Sequence, residues 1–237
     1  MMKLLFILIL LLCFAGCDRV AEPKSHISKY SSVQTVTEKT GHFVINPQFN
    51  NAFSFSDGLA AVRIGNDKTG KWGFIDQQGK MVINPQFDNV DSFSEGLGRV
   101  GIGEFKTAKW GFINKLGKFV INPQFSFALE LSEGLAGVQV GDDKTQKWGF
   151  IDKQGMMVIN IQFARVKSFS EGLAAVQIGD SITGKWGFID KQGKILINPQ
   201  FYLADSFSEG LAPVLIGDFL TGKWGFIDKQ GKMVINP

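Results

Sequence analysis

Cysteine and histidine are almost absent from this chain of 237 residues, which contains two of each. Cys13 and Cys17 lie near the N-terminus, and His26 and His42 precede the regular part of the chain. A disulfide framework is therefore excluded after Cys17, and the residue types that most often build metal and catalytic sites are missing there. We predict no metal site and no cofactor.

The sequence also lacks an excess of one charge and a long hydrophobic run. It has 25 Lys and Arg against 22 Asp and Glu, with the signs interspersed. No basic stretch could follow a phosphate backbone, so nucleic acid is not an expected partner. The apolar run from Leu4 to Phe14 has 11 residues, whereas a bilayer-spanning helix needs about 20.

This apolar run follows a short basic start and is typical of a secretory signal. The segment Phe14-Ala15-Gly16-Cys17 resembles a bacterial lipobox, with phenylalanine where leucine is usual. The resemblance implies that residues 1–16 are a lipoprotein signal peptide and that Cys17 carries the lipid. The alternative is an ordinary cleaved signal with an incidental cysteine.

Residues 17–32 are polar and aperiodic, which is typical of a tether between a lipid anchor and a folded domain. Asp18 resembles the residue that retains lipoproteins at the inner membrane of many Gram-negative bacteria. We therefore expect an exported protein anchored to the bacterial cell envelope. In a Gram-negative source the anchor would lie in the outer leaflet of the inner membrane.

All five tryptophans are copies of one position, because a Trp-Gly motif recurs every 38 residues. A fixed period of this size indicates tandem structural repeats. We predict that the tryptophans form the structural core of each repeat; they are Trp72, Trp110, Trp148, Trp186 and Trp224.

Each repeat reads as three strands. In one copy they are residues 81–87, 97–102 and 109–114, joined by a turn-rich link and by the tight turn at 114–117. The glycine after each tryptophan predicts close approach of another backbone. The second strand has one apolar face, and its other face varies between copies, which predicts exposure to solvent; Pro213 on that face suggests an edge strand.

The two ends of the array carry the same element. Residues 33–47 align with the Trp-Gly hairpin but have lost the Trp-Gly pair, and the chain finishes at 237 on the second strand of a complete hairpin. We therefore predict an all-β domain over residues 33–237, with a degenerate cap hairpin at 33–47 and five 38-residue repeats in an open array. A five-bladed, propeller-like ring is the alternative.

The segment from Gly70 to Phe87 reads Gly-Lys-Trp-Gly-Phe-Ile-Asp-x-x-Gly-Lys-x-Val-Ile-Asn-Pro-Gln-Phe and closely resembles the bacterial WG-repeat family. The resemblance extends over residues 33–237. It implies a β-rich repeat scaffold in bacterial proteins and brings no established catalytic residues.

The carboxylates recur at fixed positions, Asp76 and Glu95 with their copies, so we expect them to serve the turns of each repeat. An enzyme is therefore not predicted. One loop instead varies between copies and carries apolar residues that could form a recognition patch for a partner: Phe105, Ile182, Phe219 and Leu220. Alternatively, these side chains pack onto the neighbouring repeat.

These features together predict a lipid-anchored binding or scaffolding module for a protein or a cell-wall glycan. A purely structural envelope spacer is the first alternative. A glycan-active enzyme is the second, because some propeller-shaped enzymes cleave sugars with paired carboxylates.

Overall fold

The computed structural model describes residues 43–66, 68–104, 106–141 and 146–237. Residues 43–237 form one compact unit. The predicted signal peptide, the predicted tether with Cys17, most of the predicted cap hairpin, and Phe105 lie outside the described residues. No helix in the described part of the chain could cross a bilayer.

Twenty strands form five antiparallel sheets, each with its four strands in chain order. Sheet 1 contains β1 (Asn51–Ala52), β2 (Ala60–Ile64), β3 (Lys71–Ile75) and β4 (Met81–Phe87). Sheet 2 contains β5 (Asn89–Ser94), β6 (Leu97–Ile102), β7 (Lys109–Asn114) and β8 (Phe119–Phe125). Sheet 3 contains β9 (Phe127–Ala128), β10 (Leu135–Val140), β11 (Lys147–Asp152) and β12 (Met157–Phe163).

Sheet 4 contains β13 (Arg165–Val166), β14 (Ala174–Ile178), β15 (Lys185–Ile189) and β16 (Ile195–Phe201). Sheet 5 contains β17 (Leu203–Ala204), β18 (Ala212–Ile216), β19 (Lys223–Ile227) and β20 (Met233–Ile235). Within the described residues no strand pairing joins one sheet to another. This confirms the prediction of an all-β array of tandem repeats.

The turn-rich link between repeats contains one additional strand, the first strand of each sheet, which the sequence did not reveal. This strand has only two residues in four of the five sheets, which is too short for an alternating pattern to be visible. It leads into a two-residue hairpin turn such as Glu95-Gly96, where both φ angles are positive, 51° and 89°. Positive φ at both positions defines a type I′ turn, which suits the twist of paired strands.

The glycine of each Trp-Gly pair lies under a bulge of the fourth strand. In sheet 1, Trp72 pairs with Phe87 and Phe74 pairs with Ile83. One residue of the third strand therefore lies opposite three residues of the fourth strand. The extra residues fold over Gly73, where a Cβ would lie 2.4 Å from the Ile83 carbonyl oxygen. This confirms the predicted close backbone approach and explains why the motif needs glycine.

Both faces of the inner sheets are covered by neighbouring sheets. Trp72 and Phe74 pack with Phe93 and Ile113 of sheet 2 in one buried cluster, so strand three presents its aromatic face to the following sheet. Its isoleucine faces the preceding sheet. The same arrangement recurs between all consecutive sheets.

Two predictions for the second strand are wrong for this reason. The varied position opposite the tryptophan is not solvent-facing, because Gln177 and Leu215 there are only 3% and 4% exposed. The strand is not an edge either, since β18 pairs with both β17 and β19. The Pro213 carbonyl also accepts a hydrogen bond from the Asp205 amide, so β18 is bonded on this side at the proline itself.

Polar contacts join consecutive sheets at their type I′ turns. Ser94 Oγ donates a hydrogen bond to the Leu131 carbonyl (2.8 Å), and the Gly134 amide donates to the Glu95 carboxylate (3.0 Å). Lys153 Nζ lies 3.1 Å from the same carboxylate. The Ser-Glu-Gly motif was expected to serve its own turn only, but its side chains hold the next repeat.

Two glutamates of these contacts, Glu171 and Glu95, are biased toward their charged form. At Glu171 the hydrogen bonds from Lys229 and from the Gly210 amide lower the pKa below 4.5. At Glu95 burial opposes ionisation, but the Lys153 and Gly134 contacts outweigh it and lower the pKa. The carboxylates therefore bind the following repeat best when ionised.

We expect Gly149→Ala to destabilise the domain, because its Cβ would lie 2.5 Å from the Ile159 carbonyl oxygen. Relieving that overlap should cost about 2 kcal/mol of unfolding free energy, measured by urea denaturation. Gly101→Ala is the matched control, since the nearest atoms there are at 3.2 Å, two of them in a side-chain ring, and other copies carry larger residues. Equal losses for both variants would contradict this role of the Trp-Gly glycine.

Glu171→Gln should lower the melting temperature at neutral pH and have little effect in acid. Because the folded-state pKa of Glu171 is lowered, its contribution is fully present above the unfolded pKa of about 4.5 and disappears as pH falls through the folded value. Calorimetry near pH 7 and near pH 3 measures the difference from wild type. Glu209→Gln is the control, since Glu209 contacts no following repeat among the described residues; a pH-independent deficit in Glu171→Gln would refute the assignment.

Candidate functional site

The recurrent aspartates close the tight turns between the third and fourth strands. Asp76 Oδ1 accepts hydrogen bonds from the Gln78 and Lys80 amides at 3.0 and 2.9 Å. The pattern repeats at Asp152, Asp190 and Asp228. Among the residues that the structure describes, no group of three or more His, Cys, Asp or Glu side chains could hold a metal ion.

The variable loops present apolar side chains to solvent on a fixed backbone. Ile182, Phe219 and Leu220 are 83%, 74% and 90% exposed, so they do not pack onto a neighbouring repeat. Asp180 Oδ1 accepts hydrogen bonds from the Ile182 and Thr183 amides at 2.8 and 2.7 Å. Hydrogen bonds from the Thr183 side chain and these amides lower the pKa of Asp180 to about 2.

The sequence predicted that all five tryptophans lie in the core, but two of them do not. Trp72, Trp110 and Trp186 are buried. Trp148 is only half-buried, and Trp224 is 51% exposed. Trp148 and Trp224 both line one surface groove.

This groove, which we call the tryptophan groove, has a volume of about 700 Å³ and crosses sheets 3, 4 and 5. Its aromatic lining consists of Phe127, Trp148, Trp186 and Trp224. Phe127 lies between two repeats, with ring centroids 5.5 Å from Trp110 and 6.1 Å from Trp148. Aromatic rings of two successive repeats are thus in contact at Phe127.

Polar side chains line the rest of the tryptophan groove. Gln139 donates a hydrogen bond to Gln146 at 2.9 Å, and Lys167 pairs with Asp205 at 3.1 Å. Arg165 is exposed and makes no ion pair among the described residues. These two cations and one carboxylate leave the groove with a net positive charge.

The tryptophan groove was not predicted from the sequence. The signal is the first strand, where one position carries Asn51, Asn89, Phe127, Arg165 and Leu203 in the five copies. Only the last three lie in the groove. Of the predicted loop residues, Ile182 directly follows the groove residue Ser181, whereas Phe219 and Leu220 do not line the groove.

Solved structures align with this chain at low sequence identity. Prolyl oligopeptidase B from Galerina marginata aligns with a TM-score of 0.50 and 12% identity, over 74% of this chain and 31% of that one. TolB from Acinetobacter baumannii aligns with a TM-score of 0.43 and 13% identity, over 74% of this chain and 50% of that one. This chain thus spans half or less of either protein, and the likeness concerns the fold alone.

A further alignment, with the β-propeller domain of the Trilobed protease from Pyrococcus furiosus, has a TM-score of 0.48 and 11% identity. It covers 79% of this chain and 72% of that one. No curated protein matches the sequence.

The sequence profile described as "WG containing repeat" matches most of the chain in six segments, and the last five begin 38 residues apart. The segments are residues 38–68, 72–104, 110–143, 148–181, 186–218 and 224–237. Five of the six begin at or contain the Trp-Gly pair that the bulge of the fourth strand covers, and the first covers the degenerate copy. This chain belongs to the WG-repeat family.

Proposed function

We propose that this protein is a glycan-binding module of the bacterial envelope and that the tryptophan groove is its binding site. The observation that carries the proposal is the groove itself: aromatic rings from successive repeats, bordered by amide and charged side chains. Pyranose rings offer apolar C–H faces and a rim of hydroxyls. Aromatic rings pack against the C–H faces, and amides and carboxylates form hydrogen bonds with the hydroxyls.

The groove favours an extended ligand. It receives side chains from three consecutive sheets, and face-to-face sheets lie about 10 Å apart. A compact metabolite would touch one repeat only. A chain of sugars can lie across all three and stack on the accessible rings of Phe127, Trp148 and Trp224.

A peptide strand is less well matched to the groove. Peptides are commonly bound by adding a strand to an exposed sheet edge. The edge strands in the groove, β9, β13 and β17, have two residues each, which is too short for a ladder. Recognition must therefore come from side chains.

The charge of the groove favours an acidic glycan. Lys167 is paired with Asp205, so Arg165 is the cation that remains for the ligand. A guanidinium binds a carboxylate through two parallel hydrogen bonds, which adds direction as well as attraction.

The proposed place of action is the outer leaflet of a bacterial membrane. The lipobox-like segment before Cys17 and the polar tether after it support this proposal. Acyl chains on Cys17 would hold the repeats close to the membrane surface. The WG-repeat family is itself a repeat module, which agrees with a binding role.

Cys17→Ala should release the protein from the membrane fraction. Wild-type protein should incorporate a labelled fatty acid and remain with the membranes, while the variant should do neither. Cys13→Ala is the matched control and should behave as wild type. Lipid labelling that persists in Cys17→Ala would refute the anchor assignment.

Arg165→Gln should weaken binding of an acidic polysaccharide about tenfold, because a charge-assisted hydrogen bond contributes about 1.5–3 kcal/mol. The measurement is calorimetric titration of the full chain in detergent with polygalacturonate, alginate, hyaluronan and uncharged dextran. Lys106→Gln is the matched control, since it removes the same charge from an exposed position outside the groove.

Equal effects of Arg165→Gln and Lys106→Gln would show unspecific charge attraction and refute the site. Retention of a protein partner that depends on Arg165, without any polysaccharide binding, would assign the groove to a protein instead. If neither a polysaccharide nor a protein binds, the structural spacer becomes the favoured function.

A further inference from the structure

The loops between the second and third strands of sheets 4 and 5 carry large apolar side chains at their tips. We call residues 180–184 and 218–222 the apolar loops. Ile182, Phe219 and Leu220 are the tip residues, and most of each side chain lies in water. The two loops join equivalent strands in consecutive sheets of the same strand order, so they emerge at the same end of the array.

The turn of these loops does not require an apolar tip. Asp218 Oδ1 accepts hydrogen bonds from the Leu220 and Thr221 amides, both at 2.8 Å. In the loop of sheet 1, Asn66 Oδ1 accepts two hydrogen bonds in the same way, at 2.9 and 3.0 Å. That loop has aspartate and lysine at the two tip positions. The apolar tips therefore need an explanation other than the folding of the turn.

The backbone of the apolar loops is prepared to leave water. Asp180 Oδ1 accepts hydrogen bonds from the Ile182 and Thr183 amides, and the Asp180 carbonyl accepts one from the Gly184 amide at 3.0 Å. A backbone amide that loses water without another partner costs free energy. Because these amides are bonded within the loop, a tip can enter an apolar phase without that cost.

Cations surround the apolar tips. Lys185 and Lys223 directly follow the two loops, and both are exposed and without an ion pair among the described residues. Lys185 Nζ lies 5.4 Å from the ring centroid of Tyr202, in the connection between sheets 4 and 5. The acidic groups of the loops, Asp180 and Asp218, are bonded by donors of their own loops. Lysine and tyrosine beside apolar side chains are typical of a membrane–water interface.

We propose that the apolar loops insert their tips into the surface of an anionic lipid bilayer, an inference that rests on the proposed membrane location of this protein. Ile182, Phe219 and Leu220 enter the boundary between headgroups and acyl chains, while Lys185 and Lys223 contact lipid phosphates. A bilayer suits these tips better than a protein does, because they stand on two separate turns. A fluid apolar layer accepts each tip without a matching pocket.

Insertion gives the repeats a fixed orientation, which the lipid on Cys17 cannot do alone. Residues 17–42 precede the first described residue, and a chain of that length reaches at most about 90 Å. An anchor on so long a connection leaves the array free to turn. Ser181 lines the tryptophan groove and directly precedes Ile182. With the loops inserted, this end of the groove lies next to the lipid headgroups.

Spin labelling of the full chain in vesicles of phosphatidylethanolamine and phosphatidylglycerol tests the insertion. A nitroxide on Leu220→Cys should collide often with oxygen, which concentrates in the bilayer, and rarely with a water-soluble nickel chelate. Ile182→Cys is a second reporter. Leu116→Cys is the matched control, since Leu116 is 77% exposed on the turn between the third and fourth strands, at the opposite end of its sheet. Its label should show the reverse pattern, and labelled wild type corrects for the native cysteines.

The two collision rates separate the outcomes. Frequent oxygen and rare nickel collisions at Leu220 and Ile182, but not at Leu116, support insertion. Rare collisions with both reagents would show burial in protein and overturn the lipid assignment, and a Leu220 label that behaves like the Leu116 label would overturn it too.

A polar exchange of the tip gives a second test. Phe219→Asp with Leu220→Lys reproduces the tip of the sheet 1 loop on the same turn, so the fold should be kept. It should return the Ile182 label to water, and replacing phosphatidylglycerol by phosphatidylcholine should weaken insertion. An Ile182 label that stays in the bilayer after the exchange would contradict the role of the sheet 5 loop. The Cys17 fractionation and the Arg165 titration do not involve the apolar loops, so failure of insertion is distinguishable from failure of the anchor or of glycan binding.

Discussion

The structure depends on one constraint: no four-stranded sheet of this chain can cover its own apolar faces. Each sheet directs Trp and Phe side chains to the following sheet and an isoleucine to the preceding one, as Trp72, Phe74 and Ile113 show. Among the described residues, four of the five buried clusters lie between consecutive sheets, so stability is shared by neighbours along the array. The polar contacts obey the same rule, since the carboxylate of Glu95 is bonded by the next repeat.

The same constraint explains the Trp-Gly motif. Tryptophan supplies area for the inter-sheet core, and the adjacent glycine removes the Cβ that would meet the bulged fourth strand. The bulge falls at Asn84-Pro85, where proline lacks the amide that a regular ladder would require. Ile161 can replace the proline because the bulge frees that position from the ladder. The motif is thus a packing device, which agrees with its presence in every repeat.

Much of this fold could be predicted from the period of 38, the three long strands and the glycine turns. The first strand could not, because two residues such as Phe127 and Ala128 carry no detectable alternation. The partner of Glu95 was also hidden, because it lies 39 residues away in sequence. The exposed loop residue Ile182 could be recognised from differences between copies, but the groove could not. Its lining comes from three sheets whose stacking has no local sequence signal.

Selective binding requires positions that folding leaves free but still holds in place. In sheets 1 to 4 the Phe, Ser and Asp/Glu positions are committed to inter-sheet contacts, and the glycine of the Trp-Gly pair to the bulge of its own sheet. The first-strand position of Phe127, Arg165 and Leu203 is not, yet it is fixed by pairing with the second strand. Loop residues such as Phe219 are held only by a local turn. Rigid, variable side chains along the first strands are therefore better placed to select a ligand, while the loops can enlarge the surface around it.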